Sequence, residues 1–340
     1  ARLVAGAREA LAKLIHAPDS SHVIMTKNAT EAINLVLFGS LRKGDRVLAG
    51  LLEHNAVMRP LRHLERSRGV IVEDLPGTAD RPVDLDRLKE RLGAGRDPVR
   101  LVAITAVSNV TGEIMPVSEV AALCERAGVS VLVDGAQGAG VVDLDVGRDP
   151  IDALALTGHK GLLGPAGTGA LYVRDPEMIA PLLHGGTGSS SAFEEQPSTV
   201  PDRYEAGTLN IPGIAGLRAG IEYVMGGGID RQRRIHGELL SALWTALRGL
   251  PGVRLFGPGA PESQIAIASF TVEGRETDEI ARDLDRAGVL CRAGLQCAPR
   301  AHRTLGTFAS GGTLRFSLSC LNTRDEIDEA IGHLRGILRR

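Results

Sequence analysis

The chain has 340 residues, of which 43% are hydrophobic and 24% charged, a composition that is ordinary for a soluble globular protein. This length favours two domains over one, and a formal net charge of −2 offers no basic surface for nucleic acid. No apolar run is long enough to span a bilayer and no signal segment is visible, so we expect a cytoplasmic protein with no membrane partner.

The cysteines are too few and too irregularly spaced for a disulfide framework or a paired zinc motif, which predicts no metal site and fits a reducing cytoplasm; they are Cys124, Cys291, Cys297 and Cys320. Cys124 falls on a predicted helix, where a thiol packs as a small hydrophobic group. Cys291 and Cys320 are expected to be structural, since we place both on strands.

The first half of the chain alternates predicted helices with apolar strands. Helices are predicted over Val4–Ile15, after Asn28, from about Asn55 to Arg68, over Asp84–Leu92 and from Pro116 to Gly128. Strands are predicted at His22–Thr26, Arg46–Gly50, Val70–Leu75, Val99–Ala106 and Val129–Val133. Strands that are apolar along their whole length predict an α/β fold with a mostly parallel sheet covered by helices.

Polar residues fall at or just beyond the carboxyl ends of these strands, where ligands bind in such sheets; they are Asn109, Asp134 and Lys160. Lys160 lies on a glycine-rich loop, Thr157–Gly169, between two apolar runs. A lysine in a partly dry pocket loses its charge readily and can form a Schiff base, although this stretch alone equally fits a solvated lysine. The turn at Asn28–Glu31 is typical of a phosphate site, with an ordinary capped helix as the alternative.

Three glycines, Gly226–Gly228, mark the predicted domain boundary, giving a large α/β domain over 1–226 and a smaller α+β domain over 227–340. A flexible loop is predicted at His184–Ser198. The helices expected around and after the boundary are Pro212–Met225, Ile229–Arg248, Thr277–Ala287 and Thr323–Leu338. The strands are Val253–Phe256, Ile265–Val272, Val289–Arg292 and Thr313–Ser319.

Seven short motifs, taken in their joint order and spacing, resemble those of the class V aminotransferase family of fold-type I pyridoxal-phosphate (PLP) enzymes, and within it the cysteine desulfurases. The motifs are Glu53-His54, Ser108-Asn109, Val133-Asp134-Gly135-Ala136-Gln137, Thr157-Gly158-His159-Lys160, Glu205-Ala206-Gly207-Thr208, Arg292-Ala293-Gly294-Leu295-Gln296-Cys297-Ala298-Pro299 and Leu314-Arg315-Phe316-Ser317. The short segment at Gln296-Cys297-Ala298 is similar to the SUF-type (type II) branch.

The resemblance implies a cofactor role for each motif of the first half. Lys160 would form the Schiff base with PLP and then move the substrate's α proton, while Asp134 would pair with the pyridine nitrogen. Gln137 would hydrogen-bond the ring's phenolic oxygen, His54 would stack on the face of the ring, and Asn109 would support the ring or the substrate. The phosphate would be held by Ala29, Thr30, Thr157 and His159. Thr208 would reach the phosphate of the neighbouring subunit, which implies a homodimer with shared active sites.

The motifs of the second half imply the reaction. Arg315 would grip the substrate's α-carboxylate with Arg292 nearby, whereas a lone arginine more commonly forms a surface ion pair. Cys297 would take the sulfur of L-cysteine as a persulfide, leave L-alanine and pass the sulfur to an acceptor protein, for example in iron–sulfur cluster assembly. Ala106 stands where many desulfurases have histidine, and the family's usual N-terminal segment, with its Asn-Ala-Ala stretch, is missing from the sequence.

Two alternatives remain from the sequence. One keeps PLP but changes the reaction to that of a selenocysteine lyase, a C–S lyase, an aminotransferase or an epimerase. The other is a non-catalytic subunit that keeps the fold as a scaffold. Intact Lys160, Asp134 and His54 argue against the scaffold.

Overall fold

The computed structural model describes residues 2–95 and 97–339. Its helices are α1 (Arg2–Leu14), α2 (Ala29–Ser40), α3 (Asn55–Arg68), α4 (Leu85–Gly93), α5 (Val117–Ala127), α6 (Ile211–Arg248), α7 (Thr277–Arg286), α8 (Pro299–Thr304) and α9 (Arg324–Leu338). Its strands are β1 (Val23–Thr26), β2 (Arg46–Ala49), β3 (Ile71–Asp74), β4 (Val99–Thr105), β5 (Ser130–Asp134), β6 (Ala153–Thr157), β7 (Gly169–Val173), β8 (Val253–Phe256), β9 (Ile267–Val272) and β10 (Leu314–Ser317).

The chain divides into two compact units. The first unit comprises Ala1–Gly50, Ala56–Ala106 and Pro116–Ile229, and the second comprises Leu51–Asn55, Val107–Met115 and Asp230–Arg340. The division into 1–226 and 227–340 stays a prediction, and its outer ends, Ala1 and Arg340, lie outside the described residues.

Within the described part of the first unit, seven strands form one sheet in the order β1-β7-β6-β5-β4-β2-β3. The pairs from β6 through β5, β4 and β2 to β3 are parallel, whereas β7 is antiparallel to both of its neighbours. Strands β5 to β7 are buried almost throughout because their side chains are apolar on both faces. The α/β fold with a mostly parallel sheet flanked by helices is therefore confirmed.

The helix ends follow the sequence signals that predicted them. The Asn28 side chain accepts a hydrogen bond from the Glu31 N–H and caps α2. Gly128 ends α5 with φ 66°, a left-handed conformation that glycine adopts without strain. Gly228 has φ 76° and ψ 159° inside α6, so the helix breaks at the predicted glycine run. No helix among the described residues is both long and apolar enough to cross a membrane.

The described part of the second unit contains an antiparallel sheet of three strands in the order β10-β9-β8. Its core is built from α6, β9, α7, β10 and α9; the largest fully buried side chain is that of Phe270, which packs against Phe316. A Thr323–Glu326 capping box starts α9, in the segment where the pattern predicted a helix from Thr323.

The strand predicted at Val289–Arg292 is wrong. Leu290 is 86% exposed, so the segment has no buried face to pair, and its sheet-like contact is one isolated bridge between Arg292 and Arg315. The placement of Cys291 and Cys320 on strands is also wrong. Neither residue belongs to a strand, and both are only half-buried. Helix α8 was not predicted, although Pro299 occupies its first turn.

Candidate active site

The carboxyl ends of several strands of the first unit lie at one edge of its sheet. Asp134 ends β5 and is paired with Thr105 of β4 and Ala155 of β6. On the other side, Thr157 ends β6 opposite Gly169, which is in turn paired with Thr26 at the end of β1. The amino end of α2 therefore lies at the same edge as Asp134 and the loop that follows Thr157.

Asp134 is held in place by backbone groups. Asp134 is 5% exposed, and its Oδ1 accepts a hydrogen bond of 3.0 Å from the Ala136 N–H. The carbonyl oxygen of Asp134 accepts from the Ala106 N–H at 2.9 Å. A carboxylate fixed in this way at a sheet edge is suited to pair with a cationic ring nitrogen.

The lysine loop, residues 158–168, follows β6 and closes on itself. The Gly158 N–H donates to the Thr168 oxygen and the Gly164 N–H donates to the Gly158 oxygen, each at 2.8 Å. Lys160 is half-buried on this loop. The loop is thus an ordered support for the lysine rather than a free surface segment.

His159 and Thr157 lie together, with His159 Nδ1 at 3.2 Å from the Thr157 hydroxyl. Partial desolvation and, second, the Lys160 ammonium lower the pKa of His159 from its ordinary value. The ring is exposed at the loop surface, so the shift indicates a preference for neutral imidazole rather than a stabilising free energy. A neutral ring can still donate a hydrogen bond to an anion.

Glycines let the lysine loop lie against the Asp134–Gly140 segment. A Cβ on Gly161 would lie 2.4 Å from the Ala139 oxygen, and one on Gly140 would lie 2.5 Å from the Gly161 oxygen. Similarly, a Cβ on Gly169 would lie 2.7 Å from Asn28 Cα, so glycine there lets the start of α2 approach β7.

These groups fit PLP. A buried carboxylate, a half-buried lysine, an imidazole and the amino end of a 12-residue helix provide partners for a ring nitrogen, an aldehyde carbon and a phosphate. The remaining residues predicted on this side lie in the same unit: Ala29 is buried at the first position of α2, Thr30 is exposed beside it, and Gln137 is half-buried after β5. Thr208 is exposed and lines a cavity of about 190 Å³ with Lys27 and Asn210.

Cys297 lies in the second unit on a segment whose backbone is fixed. The cysteine is exposed, and it and Gln296 adopt left-handed φ angles of 57° and 41°. The backbone carbonyl oxygen of Cys297 accepts a hydrogen bond from the Asn55 N–H at 2.8 Å. The backbone carbonyl oxygen of Gln296 accepts one from Asn109 Nδ2 at 2.8 Å. The thiol is therefore presented by an ordered loop.

Arg315 and Asn109 connect to this loop. Arg315 Nη1 donates to the backbone carbonyl oxygen of Asn109 at 2.6 Å, and the backbones of Arg315 and Arg292 exchange two hydrogen bonds. Burial and, second, the charge of Arg292 lower the pKa of Arg315, whereas Cys297 acts in the opposite direction, so an anionic sulfur would be attracted. Arg315 Nε and Asn109 Oδ1 are buried and find no hydrogen-bond partner in the described part of the chain.

The second unit also contains Arg292, predicted near the substrate carboxylate, and His54, predicted on the face of the cofactor ring. Arg292 is exposed, and His54 is half-buried just before α3. No set of three or more His, Cys, Asp or Glu side chains in residues 2–95 and 97–339 could hold a metal ion.

Sequence reasoning missed two buried polar arrangements. Arg8 forms a double hydrogen bond with Glu205, and its one visible signal was a charge on the apolar face of the first helix. His302 lies completely buried behind Gln296, bonded to its side-chain oxygen at 2.7 Å. A single histidine after the Cys297 motif gave no sequence pattern that could have found it.

The sequence model of the family described as Aminotransferase class-V matches residues 1–330. The chain belongs to this class V family. Among curated relatives of this class V protein, a probable cysteine desulfurase of Xylella fastidiosa (strain 9a5c) is 35% identical over 335 residues, which cover 96% of this chain and 78% of the relative. One from Synechocystis sp. is 32% identical over 341 residues, with 98% and 80% covered.

Several solved structures share the fold over nearly the whole chain. The apo cysteine desulfurase of Thermococcus onnurineus NA1 has a TM-score of 0.91 at 30% identity, covering 99% of this chain and 84% of its own. The cysteine desulfurase CsdA of Escherichia coli has a TM-score of 0.88 at 30% identity, with 99% and 84% covered. The cystine C–S lyase C-DES has a TM-score of 0.84 at 27% identity, with 98% and 86% covered, and a variant of it carries glycine covalently linked to its PLP cofactor.

Proposed function

We propose that the chain is a PLP-dependent cysteine desulfurase (EC 2.8.1.7-like) that converts L-cysteine to L-alanine and leaves the sulfur as a persulfide on Cys297. The observation that carries the proposal is the exposed thiol of Cys297 on a segment held by Asn55 and Asn109, in the same unit as Arg315. The names of the relatives at 32–35% identity agree with this reaction.

The first unit would hold the cofactor. Asp134 would keep a proton on the ring nitrogen, the amino end of α2 with Thr157 and His159 would bind the phosphate, and Gln137 would bond the phenolic oxygen. When bound, PLP supplies an electron sink for negative charge at the substrate's α-carbon. Lys160 Nζ would take the proton from that carbon, a role that suits a half-buried amine.

The second unit would supply substrate binding and the nucleophile. Arg315 would bind the α-carboxylate, because a guanidinium can make paired hydrogen bonds and its Nε is free of protein partners among the described residues. Arg292 would add a second positive charge, while Asn109 and His54 would support the bound ligand.

The Cys297 thiolate would attack the sulfur of the substrate. A sulfur–sulfur bond forms as the substrate's Cβ–S bond breaks, and the electron pair released to Cβ is neutralised by a proton, giving alanine. The positive charges of Arg315 and Arg292 in the same unit would favour this step electrostatically. The persulfide needs a thiol reductant or an acceptor protein to restore the free thiol.

We also propose a cytoplasmic homodimer in which Thr208 reaches the partner's phosphate site, and an acceptor protein such as one of iron–sulfur cluster assembly. In support, Thr208 is exposed beside a cavity, and the same unit exposes Leu182, Leu183 and Phe193 by 42%, 52% and 72%. Sedimentation analysis should give twice the mass of one chain. A stable monomer that retains full activity would contradict the shared site.

A C–S lyase is the second candidate, because C-DES shares the fold. The two reactions separate at Cys297, since a lyase breaks the Cβ–S bond without a protein nucleophile. The test is alanine and sulfide release from L-cysteine with a thiol reductant, comparing wild type with Cys297→Ala. We expect the variant to lose roughly 100-fold or more of its activity while the cofactor's absorbance still changes on adding cysteine.

Cys320→Ala is the matched control, since this cysteine is half-buried and has no place in the proposed reaction; it should keep wild-type turnover. Lys160→Ala should lose turnover and the absorbance response together. A Cys297→Ala variant that releases sulfide at the wild-type rate would exclude the desulfurase, and pyruvate and ammonia in place of alanine would favour the lyase.

A further inference from the structure

A buried polar cluster lies behind Cys297 in the second unit. It consists of Gln296, His302, Thr307 and Thr313, which are 5%, 0%, 4% and 0% exposed. Gln296 Nε2 donates to the Thr313 oxygen at 2.6 Å, and Gln296 Oε1 lies 2.7 Å from His302 Nε2 and 3.2 Å from the Thr313 hydroxyl. His302 Nδ1 lies 2.7 Å from the Thr307 hydroxyl.

These contacts determine the protonation of His302. The amide atom of Gln296 that faces the Thr313 carbonyl must be the nitrogen, so the other is an oxygen that only accepts. His302 Nε2 must then carry the hydrogen, and Nδ1 accepts from Thr307. Burial also lowers the pKa of His302 to about 4, so the ring stays neutral at physiological pH.

The cluster holds Gln296, the residue that directly precedes Cys297. Gln296 and Cys297 both have positive φ, a region that side chains with a Cβ disfavour. The Gln296 side chain compensates because its oxygen and nitrogen are both bonded to buried groups. Cys297 is exposed and has no comparable anchor of its own in the described structure apart from its carbonyl bond to Asn55.

We propose that His302, acting through Gln296, is a positioning residue that keeps the Cys297 thiol in its outward, left-handed arrangement. Its importance for turnover rests on the proposed function of Cys297, whereas its effect on the loop does not. Loss of the Nε2–H donor would leave Gln296 Oε1 with only the longer bond of 3.2 Å from the Thr313 hydroxyl and allow the segment to leave its constrained backbone conformation.

The test combines amide hydrogen exchange with steady-state kinetics on the full-length holoenzyme. In His302→Leu we expect the amides of residues 295–298, including the Ala298 N–H that bonds the Leu295 oxygen, to exchange about tenfold faster. Alanine release should show kcat about tenfold lower with KM within about twofold of wild type, because substrate-binding groups are unchanged.

Two variants separate positioning from a general loss of stability. His236→Leu is the matched control, since His236 is also buried in this unit but bonds the Ala266 N–H instead of the cysteine segment; it should leave exchange at 295–298 and kcat unchanged. His302→Gln retains a donor for Gln296 Oε1 and should restore both readouts to within about threefold of wild type. If His302→Leu does not fold, Thr307→Val removes the hydroxyl bonded to Nδ1 and should increase exchange in the same segment.

Wild-type exchange at 295–298 in a folded His302→Leu protein, or an equal increase in His236→Leu, would overturn the proposal. A segment that loosens only in the His302 variants supports it. If that pattern appears while wild type releases no alanine from cysteine, the positioning stands and the desulfurase assignment fails.

Discussion

Glu205 and Arg8 form a buried ion pair in the first unit, and both residues are 8% exposed. Glu205 accepts from the two terminal nitrogens of Arg8 at 2.7 and 2.9 Å and from the Met25 N–H at 2.6 Å, and Arg8 also donates to the Val23 oxygen. The pair ties helix α1 and strand β1 to the segment that carries Thr208. Removing one charge would leave the other desolvated without compensation.

Glu205→Ala should therefore lower the free energy of unfolding by about 3–5 kcal/mol, measured by urea denaturation. The double variant Arg8→Met/Glu205→Leu should lose less than the single variant, because neither charge then remains buried. A loss of less than about 1 kcal/mol for Glu205→Ala would mean that water replaces the missing carboxylate.

At the scale of elements, the lysine loop and the Asp134–Gly140 segment depend on close backbone packing. Ala139 O would lie only 2.4 Å from a Cβ on Gly161, and Val141 Cγ2 would lie at 2.8 Å. Neither backbone can move without displacing its neighbour, since the loop also packs on α6, where a Cβ on Gly220 would meet the Leu162 oxygen at 2.3 Å.

Gly161→Ala should displace the lysine loop and weaken PLP retention by about tenfold, with a smaller effect on folding. Absorbance titration of the apoprotein with PLP measures this. Gly93→Ala is the control, because a Cβ at this last residue of α4 meets nothing within 4 Å. Equal PLP affinity in Gly161→Ala and wild type would show that the loops can separate without affecting the cofactor.

For the molecule as a whole, the free energy of unfolding depends on pH through titratable groups of the second unit whose pKa values are shifted by burial. Burial lowers the pKa values of His236 and His302 to about 4, with Arg233 adding to the shift of His236. Burial has the opposite effect on Glu113 and raises its pKa to about 7. The histidines favour the folded state at higher pH, and Glu113 favours it at lower pH.

Both histidines bind protons more readily in the unfolded state, so their contribution is complete above about pH 6.5 and is lost as pH falls toward 4. Protonation of each histidine is expected to lower the free energy of unfolding by on the order of 3 kcal/mol over that range. Denaturant unfolding between pH 4 and 8 should therefore show a net loss of stability on acidification. A flat profile in this range would contradict neutral buried rings.

Glu113→Gln should make this dependence steeper. In wild type the Glu113 carboxyl stabilises the folded state below about pH 4.5 and loses that contribution as pH rises through 7, partly offsetting the histidines. The glutamine variant should be more stable than wild type at pH 8, because no charge is buried there. The same unfolding series measures it, and a less stable variant at pH 8 would show that ionised Glu113 has a compensating partner.

The alternating strand and helix pattern was sufficient to predict most elements of the first unit, because each element there buries a continuous apolar surface. The pattern failed at Val289–Arg292, because the apolar side chains of Val289 and Leu290 are not buried. It also failed at α8, because this helix is too short to show a helical periodicity. The motif residues could be proposed from spacing, but their exposure and bonding could not.

Patterns along the chain were enough to predict the fold class and the family, and the motifs proposed which residues carry the chemistry, since these depend on local order and on the residue types a reaction requires. Tertiary structure alone decided that Arg8 faces Glu205 across 197 positions and that His302 supports Gln296 behind Cys297. Hydrogen bonds between distant or aperiodic positions leave no pattern along the chain, because their partners are selected by packing.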